Sequence, residues 1–377
     1  MNIKKTLAFT GLSILCIILL AVILTCLLEL ALYFRAPYRF FKRPTIRTRI
    51  KELFDNEIGN CFVQDKKLPF KLKSNCSKTI VRNNKLSINS HGYRGKEFSL
   101  KKDPNTFRIL FVGDSFTFGF ALDDNSTIPQ LLENRLKDKF GNIEVINAGF
   151  HGSNPMQFDL FLRTEGYSLD PDMIILLLLA DNDMLDITYN IIRKIDIDGL
   201  PTKITDGMLN YQGYRYNHIM PAWMYRMPPI MDSRACYWFL DKVNGGLKQL
   251  KKRYKYSYDN LENFFERPVL GIINDSKKRN VLIRPWLIIG GEIIRGEEGK
   301  DNKYYKSMRM FFERNDIEYL DLGTELLKYS NKDVCYKRLS GSYDGHLNEK
   351  GNQISAELGT EDILPIIRKQ INKGSKK

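Results

Sequence analysis

Ser115 stands where a short apolar run collides with a polar turn, in the stretch FRILFVGDSFTFG from Phe107 to Gly119. Ile109, Leu110, Phe111 and Val112 make a run too short for an independent helix and bulky enough for a buried strand. Gly113, Asp114 and Ser115 then break it. A serine at the carboxyl end of a parallel strand sits at the rim where open α/β sheets bind their ligands. To attack a carbonyl it needs a base, a group that orients the base, and donors for the developing oxyanion. The chain has four histidines, His91, His151, His218 and His346. His346 follows Asp344 by two residues, and in an extended segment positions i and i+2 point to the same side. Asp344 can then fix the tautomer of the ring and stabilise the imidazolium formed when Ser115 gives up its proton. His91, in a loop beside Gly92, reads as a surface residue, and His151, beside Gly152, as a rim residue touching substrate. For the oxyanion, Gly152 allows close backbone approach, Asn182 offers a side-chain amide and Ser115 its own N–H. Each such donor typically contributes about 2.7 to 4 kcal/mol to lowering the barrier.

These residues must be carried by a scaffold that brings separate turns to one rim. After Ser115, Ser126 or Thr127 can cap a helix with Pro129 in its first turn, and Ile128, Leu131, Leu132, Leu136 and Phe140 recur at helical spacing. Ile143 to Ile146 predict a second strand, followed by the turn NAGFHGSN from Asn147 to Asn154, and Gln157 to Glu165 a second helix. Met173 to Ala180, MIILLLLA, is a continuous apolar run of strand length, the mark of a central parallel strand covered on both faces. Asn280 to Ile289 and Ile317 to Leu322 predict a fourth and fifth strand, around a helix near Tyr304 to Arg314. SYDGHLNEKG then leads into a terminal helix. Strands that each end in a polar, Gly- or Asn-containing turn imply a doubly wound α/β sheet whose turns share one rim.

Four blocks stand in order: GDSFTFG with Ser115, NAGFHG with Gly152, ADND with Asn182, and DGHLN with His346. Together they resemble the SGNH hydrolase family, also called GDSL-type esterases, over about Phe107 to Leu185 and again about Asn280 to Leu364. The resemblance implies a three-layer flavodoxin-like fold with Ser115 as nucleophile, His346 as base, Asp344 as acid, and Ser115, Gly152 and Asn182 as oxyanion donors. INSHGYRG after an apolar N-terminal segment looks like the membrane-anchored bacterial branch of that family. Two positions depart from the family pattern. Ala180 replaces the usual Gly of the third block, and Asp344 is two residues before His346 instead of three. The shorter spacing is similar to the branch that moves acetyl groups onto or off envelope polysaccharides.

Of 377 residues, 43% are hydrophobic, enough for one large domain or two small ones. The formal charge of +14 suits an anionic surface, but Lys and Arg are scattered and no nucleic-acid-binding signature appears, which argues against nucleic acid as partner. Thr6 to Phe34 is almost wholly apolar behind MNIKK and long enough to span a bilayer. Ala31, Leu32 and Tyr33 make a poor cleavage site, and Cys16 and Cys26 lack the small residue a lipoprotein cut needs, so an uncleaved anchor is expected. The excess of Arg and Lys after it, Arg35 to Lys51, would hold the following domain in the cytoplasm. The short basic start and the cysteine pairs Cys61 with Cys76 and Cys236 with Cys335 favour an oxidising compartment instead. An extracytoplasmic domain is therefore expected. The chain divides into an anchor (1–35), a basic stalk and cap (36–105) and a hydrolase domain (106–377). That domain carries an insertion at about 187–270, which loses the strand rhythm and contains the solvated basic run Lys248 to Tyr256.

Three functions fit. One is an esterase, requiring no metal or other cofactor, that removes an acyl group, by expectation acetyl, from a carbohydrate or lipid of the cell envelope. The second is an O-acyltransferase, in which a sugar hydroxyl replaces water and a membrane partner supplies the acyl donor. The third is a non-catalytic glycan-binding protein on the same fold.

Overall fold

The structure is a computed structural model that describes residues 61–63, 71–80, 83–150, 153–180, 192–195, 201–204, 265–296, 299–337 and 343–374, together with positions 13, 16, 17, 19, 20 and 22–28. The chain forms two compact units, Met1–Asp55 with Gln212–Lys255, and Asn56–Tyr211 with Tyr256–Lys377. In the first, the described residues between 13 and 28 are helical, with apolar side chains from Ile17 to Leu28 exposed. Among the described residues no helix is long and apolar enough to cross a membrane.

The second unit opens with two small antiparallel ribbons, β1 (Phe62–Val63) with β2 (Lys71–Leu72) and β3 (Ser77–Thr79) with β4 (Lys85–Ser87). A disulfide joins Cys61 to Cys76. The apolar run before Ser115 is β5 (Phe107–Gly113), buried at every position. It feeds the one-turn helix α1 (Ser115–Phe118) and then α2 (Ile128–Phe140), capped by the Thr127 hydroxyl with Pro129 in its first turn. β6 (Ile143–Gly149) follows, and α3 (Pro155–Thr164) starts in a capping box between Asn154 and Gln157. β7 (Met173–Ala180) is buried throughout, as a strand covered on both faces by helices must be.

A hairpin of β8 (Ile192–Ile195) and β9 (Pro201–Ile204) lies within the expected insertion, most of which is outside the described residues. After it come α4 (Arg267–Lys278), β10 (Leu282–Ile289), α5 (Gly291–Arg295), α6 (Lys303–Arg314), β11 (Leu320–Asp321) and α7 (Leu322–Leu326). The chain closes with α8 (Asn331–Val334), β12 (Cys335–Lys337), β13 (Tyr343–Leu347) and the long α9 (Glu349–Gly374).

The main sheet has the order β11-β10-β7-β5-β6 and every pairing in it is parallel. Numbered by appearance this is 2-1-3-4-5, the flavodoxin-like winding. Its order reverses between the first and third strands, here β5 and β7, and ligands of such sheets bind beyond the carboxyl ends at that point. The expected α/β class and five parallel strands are thus present. Asp114 and Ser115 follow directly from β5 at the reversal.

Two further arginines are consumed by the fold. Arg108 is almost wholly buried, donating to the carbonyls of Ser99 and Leu169 and pairing with Glu144. Arg284 forms a two-pronged pair with Asp362, at 2.9 and 2.6 Å, which fastens α9 to β10.

Candidate active site

The polar turn after β5 is built by Asp114, whose Oδ1 accepts the N–H of Phe116 at 2.9 Å and so caps α1. This places Ser115 at the first position of the helix, where a backbone N–H has no acceptor inside the helix. The turn ends at Gly119 in the left-handed region, φ 84°, which glycine adopts at little cost. Beside it runs the end of β6. A Cβ on Gly149 would lie 2.2 Å from the backbone nitrogen of Phe118. Only a residue without a side chain lets strand and helix approach this closely.

His346 arrives from 231 residues further along the chain and places Nε2 2.8 Å from Ser115 Oγ. It sits on β13, held against β12 by the pairings Cys335 with Leu347 and Lys337 with Tyr343. Its ring packs against Phe116 at 5.2 Å and Phe120 at 4.4 Å between centroids, tilted by 32° and 33°. Two aromatic faces supplied by the nucleophile's own turn thus limit the orientations of the imidazole. Ser115 is only 3% exposed. A serine hydroxyl within hydrogen-bond reach of an imidazole nitrogen is the nucleophile–base arrangement of acyl transfer.

Asp344 lies on β13 two residues before His346, in the extended backbone that the i, i+2 reading requires; its side chain is outside the described residues. Gly152, Asn182, His151 and His218 also lie outside them. His91 is accounted for by the fold, with Nε2 3.0 Å from the Phe98 carbonyl and its ring against Phe98. Cys335 is a buried thiol whose Sγ donates to Asn331 Oδ1 at 3.2 Å; its expected partner Cys236 is outside the described residues. Among the described residues no group of three His, Cys, Asp or Glu is placed to hold a metal ion.

Arg94, in INSHGYRG, went unremarked in the sequence and is the polar residue most closely tied to the nucleophile turn. It is 3% exposed, and its guanidinium donates to the carbonyls of Phe118 (2.8 Å), Gly119 (2.5 Å) and Leu122 (2.6 Å). Nε donates to Asp124 at 2.9 Å, and the group lies over the Phe118 ring. Burial lowers the affinity of this guanidinium for its proton, and Asp124 opposes that effect. Asn147 at the end of β6 bridges to the Arg94 backbone and directs its side-chain nitrogen to the same Phe118 carbonyl, at 3.5 Å. Behind the turn, away from Ser115, a cavity of about 280 Å³ is lined by Arg94, Asp124, Glu133, Asn147 and neighbouring residues.

No family model matches the chain. A stretch of 90 residues, 23% of this chain, is 36% identical to an uncharacterized protein of Mycoplasma pneumoniae and covers 10% of it. The chain thus spans about a tenth of the length of this curated relative. Among solved structures it is similar to a protein described as lipolytic and of the G-D-S-L family from Desulfitobacterium hafniense, at 11% identity and TM-score 0.37, covering 68% of this chain and 99% of that one. It is also similar to the acetyl xylan esterase AlAXEase, at 18% identity and TM-score 0.38 with the same coverages. An acetylxylan esterase from Geobacillus stearothermophilus aligns at 14% identity and TM-score 0.37, covering 68% and 93%.

Proposed function

We propose that this chain is a serine esterase of the SGNH type that removes acyl groups, acetyl first among them, from a carbohydrate or lipid of the cell envelope. The observation that carries the reading is the 2.8 Å approach of His346 Nε2 to Ser115 Oγ at the reversal point of the sheet. In this mechanism His346 takes the Ser115 proton as Oγ attacks the ester carbonyl. The N–H of Ser115, with Gly152 and Asn182, stabilises the oxyanion, and Asp344 steadies the imidazolium. Collapse of the intermediate breaks the ester bond, and the departing alkoxide takes the proton from His346. Water, activated by the same histidine, then releases the acyl group from Ser115. The short Asp344 to His346 spacing supports an acetylated envelope glycan as substrate, through its likeness to the branch noted above.

The apolar run 6–34 supports an N-terminal anchor: its described part is helical and shows apolar side chains on the outside. The Cys61–Cys76 disulfide supports an extracytoplasmic location for the catalytic domain.

The test is turnover of a chromogenic acetyl ester by the detergent-solubilised full chain, with and without an acetylatable oligosaccharide. Ester hydrolysis that falls on the order of 10⁶-fold in Ser115→Ala and in His346→Gln is the expected result. Product appearing only as acetylated sugar would assign the chain to acyl transfer. Turnover that is absent, or unchanged in Ser115→Ala, would leave a glycan-binding role.

A further inference from the structure

We propose that Arg94 is the positioning residue of the nucleophile: by gathering the carbonyls of Phe118, Gly119 and Leu122 it holds α1 in the one placement that keeps Ser115 Oγ within reach of His346. The inference rests on the esterase reading above and deepens it.

The turn cannot hold itself. A single helical turn is far below the length at which a helix is stable alone, and the carbonyls at its carboxyl end have no partners within it. The backbone N–H groups of Phe118, Gly119 and Phe120 close on Asp114 and Ser115, at 2.9, 2.9 and 3.0 Å. That leaves the carbonyls of Phe118, Gly119 and Leu122 to be satisfied from outside, and the Arg94 guanidinium meets all three. Arginine has five N–H donors in a fixed planar fork. Here two on Nη1 go to Phe118 and Gly119, Nη2 serves Leu122 with a longer contact to Lys85 at 3.5 Å, and Nε goes to Asp124. With its donors spent on backbone and Asp124, the guanidinium has none left for a substrate anion, so its effect on the reaction must run through the turn. The residue is itself fixed in space. Its backbone bridges to Ile88 on one side and to Asn147 of β6 on the other. The sheet edge therefore passes its position to the turn through Arg94.

The role is specific to the fork. Lysine would retain the charge but offer a point donor on a flexible stem, unable to satisfy three carbonyls arranged around a plane. Displacement of a reacting group by about 1 Å can cost about a hundredfold in rate.

The experiment compares wild type, Arg94→Lys, Arg94→Ala and Asp124→Asn in the full chain. It combines steady-state kinetics on an acetyl ester, amide hydrogen exchange over residues 115–122, and thermal unfolding. Arg94→Lys is expected to lower kcat about a hundredfold with KM changed by no more than about twofold. Exchange should speed up at Phe118, Gly119 and Phe120 but not in β7 or β10. Added guanidinium ion should restore part of the activity of Arg94→Ala, and Asp124→Asn should give a smaller change of the same kind if either Arg94 variant fails to fold. An unchanged kcat and unchanged exchange in Arg94→Lys would overturn the proposal, as would faster exchange spread over the whole sheet. If the wild type lacks turnover while exchange at the turn still responds to Arg94→Lys, the esterase reading fails and the hold of Arg94 on α1 stands. If turnover is present and exchange does not respond, the reverse holds.

Discussion

At the scale of single residues, the site depends on two contacts that leave no slack. One is the 2.8 Å approach of His346 to Ser115. The other is the meeting of Gly149 with the backbone of α1, where even a methyl group would fall 2.2 Å from the Phe118 nitrogen. Because that neighbour is main chain, it cannot rotate away, and α1 must shift as a body. Gly149→Ala should therefore lower kcat by about a hundredfold while the protein still folds. The check is to measure kcat alongside the unfolding temperature. A fully active Gly149→Ala enzyme would mean that the turn has more freedom than its packing implies. The residue that the sequence hid is also explained at this scale. Arg94 acts on carbonyl oxygens 24 to 28 positions away, and every residue type offers a carbonyl, so no pattern of side chains betrays the contact. Its single side-chain partner, Asp124, stands among other acidic residues and carries no distinguishing spacing.

At the scale of elements, the sheet was legible because its strands are continuous apolar runs closed by polar turns. Met173–Ala180 coincides with its predicted bounds, and β5, β6 and β10 extend or trim theirs by up to three residues. The fifth strand shrinks from the predicted Ile317 to Leu322 to Leu320–Asp321, since an edge position pairs on one side only and Asp321 turns to cap α7. The hairpin β8–β9 escaped notice because Ile-Arg-Lys-Ile and Pro-Thr-Lys-Ile carry too little apolar pattern to stand out.

Elements are also tied across the site by Asp123, whose carboxylate accepts the N–H of Lys85 in β4 and that of Asn125. The Lys85 N–H is the largest cause holding its carboxyl below the ordinary range, with burial opposing. A depressed folded value means that the stabilisation is present above the unfolded value and is lost as the pH falls through the folded one. Asp123→Asn should unfold at a lower temperature than wild type at neutral pH, and the gap should close in acid. Thermal unfolding followed as a function of pH would test this; a gap independent of pH would show that the carboxylate's charge contributes nothing.

At the scale of the whole molecule, the Cys61–Cys76 bridge spans 15 residues, and closing a loop of that size contributes about 3 kcal/mol in the chain-entropy view. Cys61→Ser should lose stability of that order when the protein is produced in an oxidising compartment, and none when it is produced reduced. Chemical unfolding of both preparations would measure the difference. A reporter fused after Lys377 fixes the compartment directly. Activity only of a reporter that works in the cytoplasm would sink the extracytoplasmic reading, which the positive charges at Arg35 to Lys51 already oppose.

The distance along the chain between the two reacting groups has a consequence for the order of assembly. Ser115 is made early, and its partner nitrogen belongs to a strand 231 residues later, behind most of the sheet and just ahead of α9. A chain emerging from the ribosome or crossing a membrane carries the alcohol long before the imidazole that activates it. On the proposed assignment, the newborn protein is chemically silent until its last strand docks, and completion of the fold is itself the event that switches the catalyst on.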